Sequence, residues 1–256
     1  MQLTVWNEYH QERSDPRIAA VYPDGIHASV AAGLAEYFGA NAGIGTATLD
    51  QPEHGLTEEV LAGTDVLFWW AHLRHDRVAD EVVERVRRHV LAGMGLVLLH
   101  SAINARIAEA LLGTSCRMSC WRHGDRELIW TVEPGHEIAD GLPNPIELPA
   151  GEMYGEPLDV PAPDELIFIT GYSGGEVLRS GCGWRRGRGR VFFLAAGHEE
   201  YPIYDHPDIR RALGNIARWA APATPHRVIE ARVPNSPEGW WRDAPSVPEP
   251  VEGQAR

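Results

Sequence analysis

Apolar and polar positions along the chain alternate between two periods. Short apolar runs at residues 3–6, 44–49, 66–70 and 96–99 read as strands, and the last, following Gly93 and Gly95 and apolar throughout, reads as a strand buried on both faces. The segments between them carry a helical period. Residues 25–38 place Ile26, Val30, Leu34 and Phe38 four apart before Gly39. Residues 79–91 set Val82, Val83, Val86 and Val90 against a row of Arg and Glu, and Thr57 caps a short helix with Glu58 and Glu59 in its first turn. Four strand-then-helix units in succession predict an α/β fold: a doubly wound, mainly parallel sheet flanked by helices.

Beyond residue 113 the pattern loses its regularity. Residues 113–127 read as an added β-rich insertion pairing with 127–132, and 135–164, rich in Pro and Gly, as a long functional loop. Residues 166–170 and 176–180 form a predicted β pair. A basic hairpin tip at 185–190 joins 182–184 to a strand at 191–195, and 206–219 closes the fold as a helix. Residues 1–221 therefore form one domain, and 222–256 a Pro-rich C-terminal extension whose Trp240-Trp241 pair, like Trp184, suggests a surface for a homo-oligomer.

The net charge of −13 leaves no basic face for nucleic acid. Every cationic side chain is Arg, which excludes a lysine Schiff base and a P-loop lysine, and no nucleotide or flavin is expected. Cys116, Cys120 and Cys182 cannot make a disulfide framework or a structural zinc site, so a cytoplasmic protein is expected. No apolar run is long enough to predict a membrane partner.

In an open parallel sheet, ligands bind at the carboxyl ends of the strands. Here those ends carry Asn7 and Glu8, then His72, then His100 and Ser101, then His198 and Glu199, with Glu152, Tyr154 and Glu156 on the long loop. One histidine alone is commonly structural; three at one rim point to a site. Proton abstraction would use His198, oriented by Glu199, as base, with His72 and His100 polarising a carbonyl. Asn7, Glu8, Glu152, Tyr154 and Glu156 would then hold hydroxyl groups. His72, His100 and His198 could instead ligate a divalent metal, zinc being the best fit, with a carboxylate completing the set. A hydrolase using Ser101 with His198 and Glu199 or Glu200 lacks the G-x-S-x-G context of a nucleophile elbow.

The strand-end pattern resembles the class I glutamine-amidotransferase-like variant of the flavodoxin-like architecture, but no Cys occupies the turn at His100-Ser101, which argues against glutamine hydrolysis. A fuller likeness runs from Leu3 to about Ala221. The blocks VWNEYHQE, VYPDGIH, LDQPEHGL, FWWAHLRHD, GMGLVLLHS, GEMYGE, GGEVLRSGCGW and AAGHEEYPIYDHP together resemble the ThuA family of trehalose-utilisation proteins. That resemblance implies catabolism of trehalose or a related disaccharide. It also implies a sugar substrate, a disaccharide or its 3-keto derivative, and a sugar dehydrogenase as pathway partner. Elimination, isomerisation or hydrolysis would be the reaction. The alternative is a sugar-binding or regulatory subunit without catalysis.

Overall fold

The computed structural model describes residues 1–229. Its strands are β1 (Gln2–Asn7), β2 (Gly43–Thr48), β3 (Val66–Trp70), β4 (Gly95–Leu99), β5 (Met118–Thr131), β6 (Ile146–Leu158), β7 (Glu165–Tyr172), β8 (Val177–Arg186) and β9 (Gly189–Leu194). They join in one nine-stranded sheet, ordered β2-β1-β3-β4-β9-β8-β7-β5-β6. Pairing is parallel from β2 across to β9 and antiparallel from β9 to β6. The helices are α1 (Gln11–Ser14), α2 (Pro16–Val21), α3 (Ile26–Phe38), α4 (Glu58–Ala62), α5 (Asp80–Ala92), α6 (Arg106–Leu112) and α7 (Pro207–Ala220).

The inner parallel strands β1, β3 and β4, with β9, carry no solvated face, because their two-residue period feeds two cores at once. Trp6, Leu67, Trp69, Leu96, Leu98 and Phe193 pack with the Val82, Val86 and Val90 stripe of α5 and Ile107 of α6. Leu3, Val5, Phe68, Trp70, Val97, Leu99 and Phe192 pack on the opposite side with Ile26, Val30 and Leu34 of α3 and Ile209, Leu213 and Ile216 of α7. Helices on both faces leave only the strand ends and the sheet's edges open, and the carboxyl ends are where polar side chains enter the core.

Several expectations change. Residues 113–190 continue the main sheet instead of forming a separate β-rich insertion, and 118–131 are one fourteen-residue strand. The long loop expected at 135–164 contains β6. Pro149, Pro157, Gly151 and Gly155 hide its alternation, and they are tolerated because β6 is an edge strand that pairs on one side only. Residues 11–21, unassigned in the sequence reading, form α1 and α2, the second capped by Asp15, whose carboxylate accepts the Arg17 backbone N–H. Trp184 is fully buried and donates its indole N–H to the Pro161 carbonyl, so it offers no surface to a second copy. Trp240 and Trp241 lie outside the described residues. The three cysteines are free thiols, only Cys120 being exposed. Among the described residues no helix is long and apolar enough to cross a membrane.

Candidate functional site

β4 ends in a strained turn. His100 has φ +54°, a left-handed conformation costly for a residue with a Cβ, and it persists only where the surroundings hold it. They do so on every side. The His100 Nδ1–H donates to the Ala195 carbonyl at 2.9 Å, and Nε2 lies 2.9 Å from Glu152 Oε2 and 3.0 Å from the Tyr154 hydroxyl. The side chain is fully buried.

Two further histidines meet it, from the ends of β3 and β9. The His72, His100 and His198 ring centres lie 5.7 to 6.2 Å apart. Hydrogen bonding fixes which nitrogen of each faces the cleft. Ser101 donates its only hydroxyl proton to the Ala71 carbonyl at 2.8 Å, so it must accept the His72 Nδ1–H at 2.9 Å, and the His72 Nε2 lone pair faces inward. In His198 the arrangement is reversed: Nδ1 accepts the Glu200 backbone N–H at 3.0 Å, which leaves the neutral ring's proton on Nε2. That Nε2 is buried without a partner, 3.8 Å from both Glu152 Oε2 and Glu199 Oε2. His198 is thus a hydrogen-bond donor turned toward Glu152 and Glu199, where the sequence assigned it the base's role.

Charge follows from this arrangement. Burial, reinforced by the neighbouring His100, pushes His198 down to about 4, so it is neutral at physiological pH. Burial opposes ionisation of Glu152, but the hydrogen bond and charge of His100 outweigh it and bring the carboxyl to about 2. Glu199 is lowered as well: burial resists, and His72 and His198 prevail. Its Oε1 accepts from Gln11 Nε2 at 2.8 Å and lies 3.6 Å from His72 Nε2, while Oε2 is buried and unpartnered.

The roof of the site comes from the far edge of the sheet. On β6, Glu152 and Tyr154 sit two apart on one face, and their register partners on β5 are His123 and Trp121. Register shifts in this pair, between Met118 and Cys120 and again between His123 and Glu127, bend the ribbon over the strand ends. Under it lies a cleft of about 400 Å³, lined by His72, Ser101, Asn104, Arg117, Trp121, His123, Glu152 and Tyr154 among others. Trp121 is 62 % exposed at its mouth, and the His123 Nε2 approaches Glu152 at 3.4 Å. A larger cavity, about 970 Å³, lies at the amino ends of β4 and β9, around Gly93, Arg188 and residues 222–229, and holds none of the predicted site residues.

His72, His100, Ser101, His198, Glu199, Glu152 and Tyr154 therefore converge. Three other candidates do not. Asn7 is buried against Glu12, His27 and the Tyr9 backbone. Glu8 accepts the backbone N–H groups of His72, Leu73 and Arg74 at 2.8 to 3.0 Å, and so holds the turn that presents His72. Glu156 is paired with Arg179 at 2.7 Å and also accepts the Leu158 N–H. Ser101 has already committed its proton and is no nucleophile. Gln11, Arg117, Trp121 and His123 belong to the site without having been assigned to it. For Trp121 and His123 the only signal was two aromatic rings two apart in a strand whose partner was read as a loop.

The trehalose-utilisation family ThuA matches residues 3–220. No curated protein sequence matches the chain. Among solved structures, a ThuA-like protein from Bacteroides uniformis superposes with a TM-score of 0.61 at 16% identity, over 86% of this chain and 91% of that one. One from Parabacteroides merdae gives 0.62 at 13%, over 86% and 89%. A cytoplasmic protein from Salmonella typhimurium gives 0.56 at 10%, over 86% of this chain and all of that one. At these identities the superpositions speak for the fold, an α/β sheet flanked by helices, and the match over residues 3–220 speaks for descent: the chain belongs to the ThuA family of trehalose-utilisation proteins.

Proposed function

We propose that this protein is an enzyme of trehalose or related disaccharide utilisation that removes a proton beside a carbonyl of its sugar, with a 3-keto disaccharide as the substrate class. The reading rests on one observation: a buried carboxylate oxygen and a buried imidazole N–H, both unpartnered, 3.8 Å apart and beside Glu152, which lines the cleft. Glu199 Oε2 is the base and His198 Nε2–H the donor to the carbonyl oxygen, where the negative charge of an enolate develops. A neutral imidazole suits this role because its N–H stays in place throughout the reaction and needs no proton from solvent. Trp121 offers an aromatic face to the apolar side of a sugar ring. The enolate then collapses by elimination or isomerisation, and the released product passes on within the pathway.

In the same reading, residues 1–221 are the functional unit, with the strands ordered β2-β1-β3-β4-β9 as a flavodoxin-like, doubly wound half of the glutamine-amidotransferase-like kind. A sugar dehydrogenase supplies the keto substrate, and self-association is left to surfaces other than Trp184. The test is proton exchange at the carbon beside the keto group in deuterated water, followed by NMR. Wild type exchanges it, and Glu199→Gln slows exchange by about 10²- to 10⁴-fold with the melting temperature little changed. Binding without exchange in the wild type would make the protein a sugar-binding subunit and end the enzymatic reading.

A further inference from the structure

The same rim carries a second chemistry that the proton-transfer pair does not use. We propose that His72 Nε2, His100 Nε2 and one Glu152 oxygen form a binding site for a divalent first-row transition ion of the zinc class, with an open position facing the cleft. One nitrogen of each histidine and one Glu152 oxygen lie within 4.8 Å of one another. At metal–ligand distances of about 2.0–2.1 Å, tetrahedral ligands stand roughly 3.4 Å apart, so small side-chain movements close the set. Two imidazoles with one carboxylate favour such an ion over magnesium or calcium, which prefer all-oxygen shells.

Spacing alone would be a weak argument, and the hydrogen bonds behind the ligands strengthen it. A histidine that ligates through Nε2 typically donates its Nδ1–H to an oxygen, which fixes ring and tautomer. His100 does so to the Ala195 carbonyl, and His72 to Ser101 Oγ, itself anchored on the Ala71 carbonyl. The backbone of His100 is strained at this same position, with φ +54°. Ser101 thereby gains a function that its lost nucleophilicity left open: it positions a ligand. The same criterion removes His198 from the ligand set expected from sequence. Its Nδ1 accepts a backbone N–H, so ligation through Nε2 would require an imidazolate. It equally disfavours the alternative trio of His123, Glu152 and His198, in which His123 is also largely exposed.

The inference shares its cleft with the sugar reading and stands without it, since a protein that binds the ion but exchanges no sugar proton overturns only that reading. Chelator-treated full-length protein is titrated with Zn²⁺ by calorimetry and with Co²⁺ by visible absorption. One ion per chain is expected, and the Co²⁺ complex should show the intense d–d bands of a low-coordinate site. His72→Ala and Glu152→Ala abolish stoichiometric binding. Ser101→Ala, which leaves all three ligands in place, lowers affinity about 10- to 100-fold at unchanged stoichiometry. His198→Ala keeps wild-type affinity. Circular dichroism of each variant separates loss of ligand from loss of fold, and Ser101→Ala decides the matter should a ligand variant unfold. Failure of the folded wild type to bind either ion stoichiometrically, or retention by His72→Ala with loss in His198→Ala, overturns the proposal.

Discussion

At the scale of single residues, the molecule concentrates its electrostatic cost near the cleft. Glu127 on β5 is the clearest case outside the proposed chemistry: it is almost fully buried, and its Oε1 has no partner. Burial, followed by the nearby charges of Asp125 and Glu152, raises its carboxyl to about 8. A carboxyl raised in the folded state stabilises the fold fully below its unfolded value and loses that contribution as pH climbs through the folded one. The wild type should therefore lose on the order of a few kcal/mol between about pH 5 and pH 8 from this group alone. Glu127→Gln, uncharged at every pH, should match wild type near pH 5 and exceed it in melting temperature at pH 8.5. Equal slopes of melting temperature against pH in the two proteins would remove Glu127 as the cause.

At the scale of elements, the β5–β6 ribbon is the part that the sequence concealed. The parallel strands and their helices were legible because each has one uninterrupted period, and the strand-end histidines came into view with them. β6 was not, because Gly151, Gly155 and two prolines break its alternation at positions an edge strand tolerates. With β6 unseen, Glu152 and Tyr154 were found only as loop residues, and their cross-strand neighbours Trp121 and His123 not at all. Hydrogen-bond direction at His72 and His198 is likewise invisible in a sequence, since it depends on which backbone groups happen to lie behind each ring. Gly151 has a physical reason: a Cβ there would collide with the Glu127 carboxylate across the ribbon. Gly151→Ala should cost about 1–3 kcal/mol by overpacking. Combined with Glu127→Ala, it should cost less than the two single losses summed, since the shortened side chain vacates the contested space. Additive thermal-melt losses would show that the two positions do not meet.

At the scale of the whole molecule, one sheet runs through both halves, and each of the two cores spans them. Trp6 and Leu98 of the parallel strands share a core with Trp184 and Leu178 of the antiparallel ones, while Val97 and Leu99 share the other with Ile167 and Phe168. Residues 1–229 should therefore unfold cooperatively, with tryptophan fluorescence and far-ultraviolet circular dichroism tracing coincident urea transitions. Separate midpoints would divide the sheet at the β9–β8 boundary, where parallel pairing gives way to antiparallel. The bend of the β5–β6 ribbon has a consequence for how such a protein can diverge. The floor of the cleft, from β3, β4 and β9, is tied into both cores, whereas Trp121 and His123 are exposed on the far ribbon and belong to neither core. Ancestral change could therefore refashion the roof, and with it the shape of the cleft, while the floor stayed as it was.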